Sequence, residues 1–484
     1  MTPRHVHFIA IAGTGMGSLA GLLARRGLVV TGSDENVYPP MSTALQTWGI
    51  PVTLGFRAEN VLAHRPDLVV IGNAVRAGNP EARAAIDAGL RTLSFPDALR
   101  ELAIGDKHSV VVAGTHGKTT TTTLVAQLLF ATGRDPSFLV GGISENFGGS
   151  FREGQGPHFV VEGDEYDTAF FDKTPKFLHY AARTAILTSV EFDHADIYRD
   201  LEHVKSAFRA LVEALPPDGT LLAALDHEGV ADVARAARCR VLSYGVGEGA
   251  GLRARDLEPG PAGTRFELVR EGRPLGRALL AAHGRHNVEN AVGALAAVAS
   301  LGVPLAEAAA ALESWRGVKR RQELRGEARG VRVIDDFAHH PTAVRETIAA
   351  VAAAHPGRRL VAVFEPRTNT SRRKVFQADY ARSFDGAARV LISVVPDTPI
   401  YSATGEVTEK FSSGELARDL EARGIAAQAI DGVDLIVEEL VESSRPGDVV
   451  LVMSNGAFGN IWEKLLARLR ENDASACQPM DRTR

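Results

Sequence analysis

The chain has 484 residues, of which 45% are hydrophobic, and its 54 basic and 59 acidic side chains leave a net charge of −5. That length predicts about three domains, and the balanced charge argues against a general attraction to nucleic acid. Cys239 and Cys477 are the only cysteines, which argues against a disulfide framework or a cysteine zinc site and is typical of a reducing cytoplasm. With no signal-peptide pattern and no apolar run of ~18 residues, we expect a cytoplasmic monomer or homodimer without a membrane or nucleic-acid partner.

The first predicted unit, residues 1–105, opens with an apolar run over residues 6–12 that leads into a glycine turn and an Ala- and Leu-rich helix. Strand-like runs over residues 29–34 and 67–72 alternate with helical segments, which predicts a parallel sheet with helical crossovers. A glycine turn that opens a helix can bind a diphosphate, because backbone N–H groups and the positive helix end face the anion. The candidate diphosphate-binding residues are Gly13, Thr14, Gly15, Met16, Ser33 and Asp34. Because glycine is missing at the sixth position of the turn, a nicotinamide site, a nucleotide-sugar site and a purely structural turn all remain open.

The second predicted unit, residues 106–316, begins with the most selective motif of the chain. An apolar run over residues 110–113 leads into a glycine-rich turn, and a helix-like run follows from residue 124. A strand, such a turn and a helix start form a phosphate cradle, in which Lys118 can reach terminal phosphates and the Thr119 hydroxyl can bind Mg²⁺. We predict a nucleotide site, with Lys118 in a solvent-facing loop, at Gly114, Thr115, His116, Gly117, Lys118, Thr119 and Thr120.

Two acidic segments follow later strands of this unit. Residues 162–167 contain four carboxylates directly after a strand, and residues 191–196 contain the pair Asp193-His194. Because the carboxyl ends of parallel strands meet at one edge of a sheet, we expect both segments beside the phosphate loop. Carboxylate and hydroxyl oxygens suit Mg²⁺, so the predicted metal ligands are Thr119 and Glu162 for a first ion and His194 for a second ion, unless the Asp193-His194 pair orients the substrate acid instead. A solvated acidic loop and a structural histidine are the alternatives.

The remaining strands and helices complete two α/β units. Residues 240–282 predict a small antiparallel sheet, and helices over residues 287–300 and near 304–315 close the second unit. The third unit, residues 317–484, starts at a basic hinge over residues 317–321 and again alternates strands with helices. Its strands lead into polar segments over residues 335–341, 365–370 and 453–459. Three polar strand ends in one α/β domain predict a ligand cleft.

In their order along the chain, the phosphate loop, the Asp193-His194 pair and residues 284–290, 317–321 and 335–341 resemble the motifs of the Mur ligases. These are ATP-dependent enzymes that add amino acids to UDP-N-acetylmuramate. The resemblance covers nearly the whole chain. It implies an α/β protein with a Rossmann-like N-terminal domain for the UDP-sugar, a central P-loop ATPase-type domain, and a C-terminal Rossmann-like domain for the incoming substrate. It also implies ATP as a substrate, Mg²⁺ as the cofactor and an acyl phosphate as the intermediate.

The resemblance implies roles for individual residues. Lys118, Glu162 and His194 are the expected catalytic residues, and the glycine turn of the first unit binds UDP-N-acetylmuramate. Asn290 is expected to contact adenine, Arg321 the phosphates and Asp336 the ribose of ATP. Residues expected at the incoming substrate are His339, Arg367, Asn369, Ser454 and Asn455. Some relatives carry a carbamylated lysine near the metal, but none is predicted here, since Lys205 is the only lysine over residues 190–210.

Within the family, residues 33–42, 163–173, 365–370 and 453–456 are most similar to members that ligate the tripeptide L-alanyl-γ-D-glutamyl-meso-diaminopimelate in peptidoglycan recycling. The alternative is ligation of L-alanine in peptidoglycan biosynthesis, because those members are similar over the same span. Their counterpart of residues 367–370 is richer in arginine. One arginine with neutral hydrogen-bonding neighbours suits an extended peptide better than a single amino acid.

Two alternatives lie outside this family. A nicotinamide-dependent oxidoreductase follows from the first glycine turn alone, but it leaves the phosphate loop and the third unit unexplained. A non-catalytic ATP-binding regulator would not need Glu162 and His194 beside Lys118.

Overall fold

The computed structural model describes residues 3–396, 398–399, 401–402 and 405–476, so that Cys477 lies outside the described ranges. The strands form three main sheets, one in each of three successive parts of the chain, and two short two-stranded ribbons. Within the described ranges, no helix is both long enough and apolar enough to cross a bilayer.

The first sheet is wholly parallel, with strand order β3-β2-β1-β4-β5. Strand β4 is buried along its whole length, since apolar clusters cover both faces of the sheet. The first strand is shorter than predicted, because the N–H groups of Ala10 and Ile11 both donate to the carbonyl of Ser33 and turn the chain out of the sheet. The elements are β1 His5–Ile9, α1 Thr14–Arg25, β2 Val29–Asp34, α2 Met41–Thr47, β3 Val52–Leu54, α3 Glu59–Leu62, β4 Leu68–Ile71, α4 Pro80–Asp87, β5 Thr92–Ser94 and α5 Phe95–Leu99, which continues as a π-helical turn over Arg100–Ile104.

The central sheet has ten strands in the order β17-β16-β15-β14-β13-β12-β6-β9-β7-β8. Strand β6 leads to the phosphate loop and lies between β12 and β9, parallel to both, so the carboxyl ends of all three strands meet at one edge. The elements are β6 His108–Ala113, α6 Lys118–Ala131, β7 Ser137–Ser144, β8 Gly149–Arg152, β9 His158–Gly163, β10 Asp167–Ala169, β11 Asp172–Pro175, β12 Thr184–Leu187, α7 Leu201–Glu213, β13 Thr220–Ala223, α8 Glu228–Ala234, β14 Arg240–Gly245, β15 Leu252–Gly260, β16 Gly263–Arg270, β17 Arg273–Leu280, α9 Arg285–Ser300 and α10 Leu305–Ala311.

The strands predicted as a small antiparallel sheet over residues 240–282 are antiparallel over β15 to β17, and they continue the central sheet at its far end. Strand β14 pairs in parallel with β13 and, through Tyr244 and Gly245, with β15. At this end of the sheet the pairing is antiparallel between β15, β16 and β17. An alternating pattern reports which face of a strand is buried and not which strand is its hydrogen-bonded neighbour, so this continuity was not predictable.

The third sheet has six strands in the order β18-β19-β25-β20-β21-β24, all parallel except the β18–β19 pair. Asp336, Met453 and Phe364 are aligned at the carboxyl ends of β19, β25 and β20, so the three predicted polar segments leave the sheet side by side. The elements are β18 Glu323–Ala328, β19 Val331–Asp336, α11 Pro341–Ala354, β20 Leu360–Phe364, α12 Gln377–Ala381, β21 Arg389–Ser393, β22 Tyr401–Ser402, β23 Gly405–Glu406, α13 Ser413–Ala422, β24 Ala426–Ile430, α14 Val433–Ser443, β25 Val449–Met453 and α15 Ile461–Ala476.

The central part contacts both of its neighbours through polar side chains. Arg26, directly after α1, donates to Glu153 at 2.7 to 2.9 Å, which joins the first part to the segment after β8. On the other side, the N–H of Ala195 donates to the Thr370 hydroxyl at 3.0 Å, and Arg373 donates to the carbonyl of Ala195 at 2.8 Å. These contacts fix the segment that carries Asp193-His194 against the strand ends of the third sheet.

Candidate active site

The phosphate loop between β6 and α6 is held in shape by the residues that follow β12. Gly114 has a φ of +137°, and a Cβ there would lie 2.1 Å from Thr188 Oγ1, so only glycine fits. The N–H groups of Thr115 and His116 donate to the carbonyl and the hydroxyl of Ser189 at 3.0 and 2.8 Å. Because the protein itself uses these two N–H groups, those at the start of α6 are the ones that can face an anion.

Lys118 lies in a buried ion pair and not in the solvent-facing loop that the sequence predicted. Its Nζ is 3.0 and 2.8 Å from the two carboxylate oxygens of Glu165 and donates to the carbonyl of Gly114 at 2.7 Å. The two side chains are only 13% and 2% exposed. Burial alone would lower the pKa of Lys118, but the Glu165 carboxylate raises it, so the ammonium group is charged. The solvent-facing prediction was wrong because the acidic segment after β9 folds over the loop.

Thr119 and Glu162, two of the three predicted metal ligands, are in direct contact. Thr119 Oγ1 donates to Glu162 Oε1 at 2.9 Å, and the N–H of Gly141 donates to Glu162 Oε2 at 2.7 Å. A hydroxyl and a carboxylate at the end of a phosphate loop offer the oxygen ligands that Mg²⁺ prefers, although their role as ligands stays a prediction.

His194 joins the same cluster through Glu165. Its Nε2 lies 3.0 Å from Glu165 Oε1, and its ring centroid is 4.3 Å from that of Tyr166. Burial alone would lower the pKa of His194, but the Asp193 carboxylate and the hydrogen bond to Glu165 raise it to about 9, so the ring is protonated at neutral pH. A metal ligand must be a neutral imidazole, and binding of an ion through His194 would therefore release a proton.

The residues predicted to contact ATP from outside the phosphate loop lie where the central and third sheets meet. The Asn290 amide lies against the phosphate loop, since a Cβ on Gly117 would be 2.4 Å from Asn290 Oδ1. The Arg321 guanidinium carbon is 4.8 Å from the centre of the Phe337 ring. Asp336 is buried, and each of its carboxylate oxygens accepts a backbone N–H at 2.8 Å. Asp336 therefore shapes its own turn, and the three nucleotide contacts stay predictions.

On the side of the third sheet, His339 and Arg367 lie at the predicted ligand cleft. His339 Nε2 is 3.9 Å from Asp193 Oδ2 of the central part. Arg367 lies across Gly456, where an added Cβ would be 2.0 Å from a guanidinium nitrogen. Arg367 and Asn369 are both exposed, so their side chains are free to meet a ligand.

Ser454 and Asn455, the other two residues predicted at the incoming substrate, are less accessible. Ser454 is fully buried and its hydroxyl donates to Glu365. Asn455 Oδ1 is buried and, among the described residues, has no hydrogen-bond partner. Ser454 is thus placed to fix the strand end, and a buried amide oxygen without a partner is a candidate contact for a ligand N–H.

The predicted diphosphate site of the first part contains both structural and exposed residues. Asp34 accepts the N–H of Ala12 at 2.9 Å and so braces the glycine turn. The Ser33 hydroxyl is buried and donates to Glu81 at 2.8 Å, and Met16 lies in the core. The exposed members of the set, at the N-terminal end of α1, are Gly13 and Thr14, with Gly15 half-buried.

Sequence reasoning missed three residues of this region. Glu165 lies in the acidic segment that was singled out, but nothing in the spacing distinguished it from its neighbours. Glu191 and His340 were likewise next to predicted residues, and both lie beside His116. Lys205, which was not predicted to be modified, is paired with Glu202 and Asp232 at 3.0 Å.

Three family models match successive parts of the chain in the order of the three sheets. They are the Mur ligase family catalytic domain at residues 5–107, the Mur ligase middle domain at residues 112–298, and the Mur ligase glutamate ligase domain at residues 320–456. The UDP-N-acetylmuramate–L-alanyl-γ-D-glutamyl-meso-2,6-diaminoheptandioate ligase of Escherichia coli is 39% identical over 472 residues, 97% of this chain and 99% of that protein. The chain belongs to the Mur ligase family and is a ligase with the expected three-part α/β fold.

Other relatives show how far the similarity extends. The UDP-N-acetylmuramate–L-alanine ligase of Caldanaerobacter subterraneus is 34% identical over 465 residues, 96% of this chain and 97% of that protein. The crystal structure of a murein peptide ligase from Psychrobacter arcticus superposes with a TM-score of 0.71 at 34% identity, covering 96% of this chain and 99% of that one. Membership of a ligase family leaves both the oxidoreductase and the non-catalytic regulator without support.

Proposed function

We propose that this ligase uses ATP to join UDP-N-acetylmuramate to the tripeptide L-alanyl-γ-D-glutamyl-meso-diaminopimelate. The observation that carries the proposal is the approach of Asp193 to His339, which brings the phosphate-loop cluster and the strand ends of the third sheet to one cleft. The names of the Escherichia coli and Psychrobacter arcticus relatives support the tripeptide as the substrate. We assign the UDP-sugar to residues 1–105, ATP to residues 106–316 and the peptide to residues 317–484.

The chemistry that the cluster must support is activation of a carboxylate. An oxygen of the lactyl carboxylate attacks the γ-phosphorus of ATP, ADP leaves, and an acyl phosphate forms. The peptide amine then attacks the acyl carbon, and phosphate leaves with the carboxylate oxygen. Because a carboxylate and a triphosphate are both anionic, the site must supply positive charge at their point of approach.

Lys118 is the residue that supplies this charge from the protein. In the ion pair with Glu165 it is held at the start of α6, where the positive helix end faces the same point. When a γ-phosphate approaches, it competes with Glu165 for the ammonium group. Glu165 therefore keeps Lys118 charged and oriented between turnovers.

The residues around Thr119 and Glu162 fit Mg²⁺, because a hydroxyl and a carboxylate already meet at 2.9 Å beside the loop. The ion, when bound, would neutralise charge on the phosphates and on the attacking carboxylate. His194 is the proposed ligand of a second ion. The N–H of Gly141 orients the Glu162 carboxylate, so that its Oε1 stays turned toward Thr119.

The tripeptide is proposed to lie along the strand ends that carry Arg367, Asn369 and Asn455. Arg367 is the cationic hydrogen-bond donor of this set, and its planar guanidinium can bind a peptide carboxylate through two parallel hydrogen bonds. Gly456 leaves room for that guanidinium to lie flat against the chain. His339, near Asp193, would face the acyl group.

The second candidate within the family is ligation of L-alanine. Relatives such as the Caldanaerobacter subterraneus enzyme, named for that reaction, are similar over nearly the whole chain at 34% identity. The same activation chemistry would apply, so only the amine substrate distinguishes the two.

Transfer of ¹⁸O tests the activation chemistry directly. UDP-N-acetylmuramate labelled in its lactyl carboxylate is incubated with ATP, Mg²⁺ and the tripeptide, and the released phosphate is analysed by mass spectrometry. The proposal predicts one ¹⁸O atom per phosphate, and no phosphate release when either the muramate or the amine is omitted. Release of unlabelled phosphate would contradict an acyl phosphate intermediate.

A further inference from the structure

The side chains of His116, Glu191 and His340 form a cluster that has no step in the proposed reaction, although His116 belongs to the phosphate loop. His116 lies in the phosphate loop, Glu191 follows β12, and His340 immediately precedes α11 of the third part. Glu191 Oε2 is 3.6 Å from His116 Nε2 and 3.9 Å from His340 Nδ1, and all three ligand atoms lie within 4.8 Å of one another. Two imidazoles and a carboxylate from two different domains thus converge on one point.

Among the described residues, the facing nitrogens of His116 and His340 make one hydrogen bond, a long one of 3.3 Å from the N–H of Thr342 to His340 Nδ1. His340 Nε2 lies 3.2 Å from the carbonyl of Phe192, which can accept only from an N–H, so the proton is on Nε2 and the lone pair is on Nδ1. A metal-binding histidine is commonly fixed by this kind of bond from its other ring nitrogen to a carbonyl. His116 Nε2 is buried and has no hydrogen-bond partner among the described residues. Each imidazole therefore directs an unused or weakly used nitrogen at the carboxylate.

The charge states suit a cation. Burial lowers the pKa of His340 to about 4, so its ring is neutral at neutral pH. Burial alone would raise the pKa of Glu191, but His116 and the Thr342 hydroxyl hold it at about 2, so the carboxylate is ionised. Thr342 Oγ1 donates to Glu191 Oε2 at 2.7 Å and fixes that oxygen between the rings.

The dimensions match a tetrahedral ion better than a hydrogen-bonded network. Ligands at ~2.1 Å from a tetrahedral Zn²⁺ lie ~3.4 Å from one another, compared with 3.6 and 3.9 Å for the two pairs with Glu191 and at most 4.8 Å for the two histidine nitrogens. Those separations are also too long for strong hydrogen bonds. Two nitrogen ligands favour Zn²⁺ over Mg²⁺, which prefers oxygen ligands throughout.

We propose that His116, Glu191 and His340 form a Zn²⁺ site, separate from the Mg²⁺ ligands of the nucleotide, that links the phosphate loop to the N-terminus of α11. The site goes beyond the proposed ligation reaction and does not depend on the identity of its substrates. Zn²⁺ held there joins the central and third domains through ligands from both. Bound Zn²⁺ should therefore slow any step that requires these domains to separate.

Cobalt(II) binding to the full-length protein tests the site without any substrate. The protein is stripped with EDTA, transferred to metal-free buffer and titrated with Co²⁺, whose visible absorption is strong in tetrahedral sites and weak in octahedral ones. The wild type should bind one equivalent with the strong spectrum, and Zn²⁺ should displace it. His340→Gln and Glu191→Gln should each weaken binding at least ~100-fold, because removal of a ligand exceeds the ~10–100-fold effect of changing its supporting partner.

Three further variants make the outcome decisive. His64→Gln changes an exposed histidine of the first domain and should bind Co²⁺ as the wild type does. Thr342→Val removes only the hydroxyl that supports Glu191 and should weaken binding ~10-fold, while circular dichroism checks that each variant is folded. Absence of the strong spectrum in the wild type overturns the proposal. So does binding that survives in folded His340→Gln but is lost in His194→Gln, because the ion would then lie at the nucleotide.

Discussion

Replacement of Lys118 by alanine should impair both the reaction and the stability of the central domain. The change leaves Glu165, which is 2% exposed, without its main partner, and breaking a buried ion pair from one side costs ~3–5 kcal/mol. His194 stays within 3.0 Å of the carboxylate, so we expect the loss in unfolding free energy to be reduced to ~2–3 kcal/mol. For a domain of this size, each kcal/mol corresponds to ~2–4 °C, which predicts a melting transition lowered by ~4–12 °C.

The double variant Lys118→Ala/Glu165→Gln separates the two effects. Glutamine keeps the shape of Glu165 without its charge, so the melting temperature should return to within ~3 °C of the wild type. Ligation should remain reduced at least ~10²–10³-fold, because the donor to the phosphate is still missing. The melting temperature is measured by calorimetry and the turnover by a coupled assay of ADP release. Both are measured on the wild type, the two single variants and the double variant, which together form a double-mutant cycle.

Two results would refute this reasoning. A double variant that melts as low as Lys118→Ala would show that the unpaired buried charge of Glu165 is not the cause of the instability. A double variant that recovers wild-type turnover would show that Lys118 does not act on the phosphates.

The remaining predictions concern the metal, the peptide and the effect of pH on stability. Glu162→Ala and His194→Ala should each raise the Mg²⁺ concentration needed for half-maximal turnover, and an unchanged requirement in a magnesium titration would remove that residue from the proposed ligands. Gly456→Ala should displace the flexible end of Arg367, whose nitrogen would lie 2.0 Å from the new Cβ. It should therefore lower kcat/KM for the tripeptide as Arg367→Ala does, with the KM for ATP and the melting temperature unchanged; a normal kcat/KM would argue against a role for Arg367. Burial lowers the pKa of His108 from 6.5 to about 4, so the unfolded chain takes up this proton first and the native state loses stability as the pH falls from 6.5 to 4. Relative to His108→Gln, the wild type should lose ~1–2 kcal/mol of unfolding free energy over that pH range after allowance for partial exposure. The unfolding free energy is measured by denaturant titration at each pH, and the same pH dependence in both proteins would contradict this.

The position of the active site was predictable because it depends on local patterns. Strand, turn and helix follow one another at residues 108–131, and a parallel sheet then brings other strand ends to the same edge. For the same reason the polar segment that begins at Asp335 could be placed at the carboxyl edge of the third sheet, since a buried strand ends there. Thr119 and Glu162 meet because Thr119 lies in the first turn of α6, just beyond the carboxyl end of β6, and Glu162 lies at the carboxyl end of the neighbouring strand β9.

The environment of each side chain was much less predictable, because it depends on residues far away in the sequence. Glu165 is 47 residues from Lys118, and no local pattern shows that it folds over the loop and buries the ammonium group. Ser454 follows a strand just as Asn369 does, yet one is buried and the other exposed. Exposure of a polar residue at a strand end is decided by which segment packs above it, and such packing cannot be read from the periodicity of one strand.

The most direct test of the central claim is a comparison of amine substrates. The purified protein is given UDP-N-acetylmuramate, ATP and Mg²⁺, and kcat/KM is measured for L-alanyl-γ-D-glutamyl-meso-diaminopimelate and for L-alanine under the same conditions. We predict a kcat/KM for the tripeptide at least ~100-fold higher, since loss of an arginine–carboxylate contact and the neighbouring hydrogen bonds corresponds to ~3 kcal/mol. A higher kcat/KM for L-alanine would contradict the proposal and identify the chain as an alanine-adding ligase.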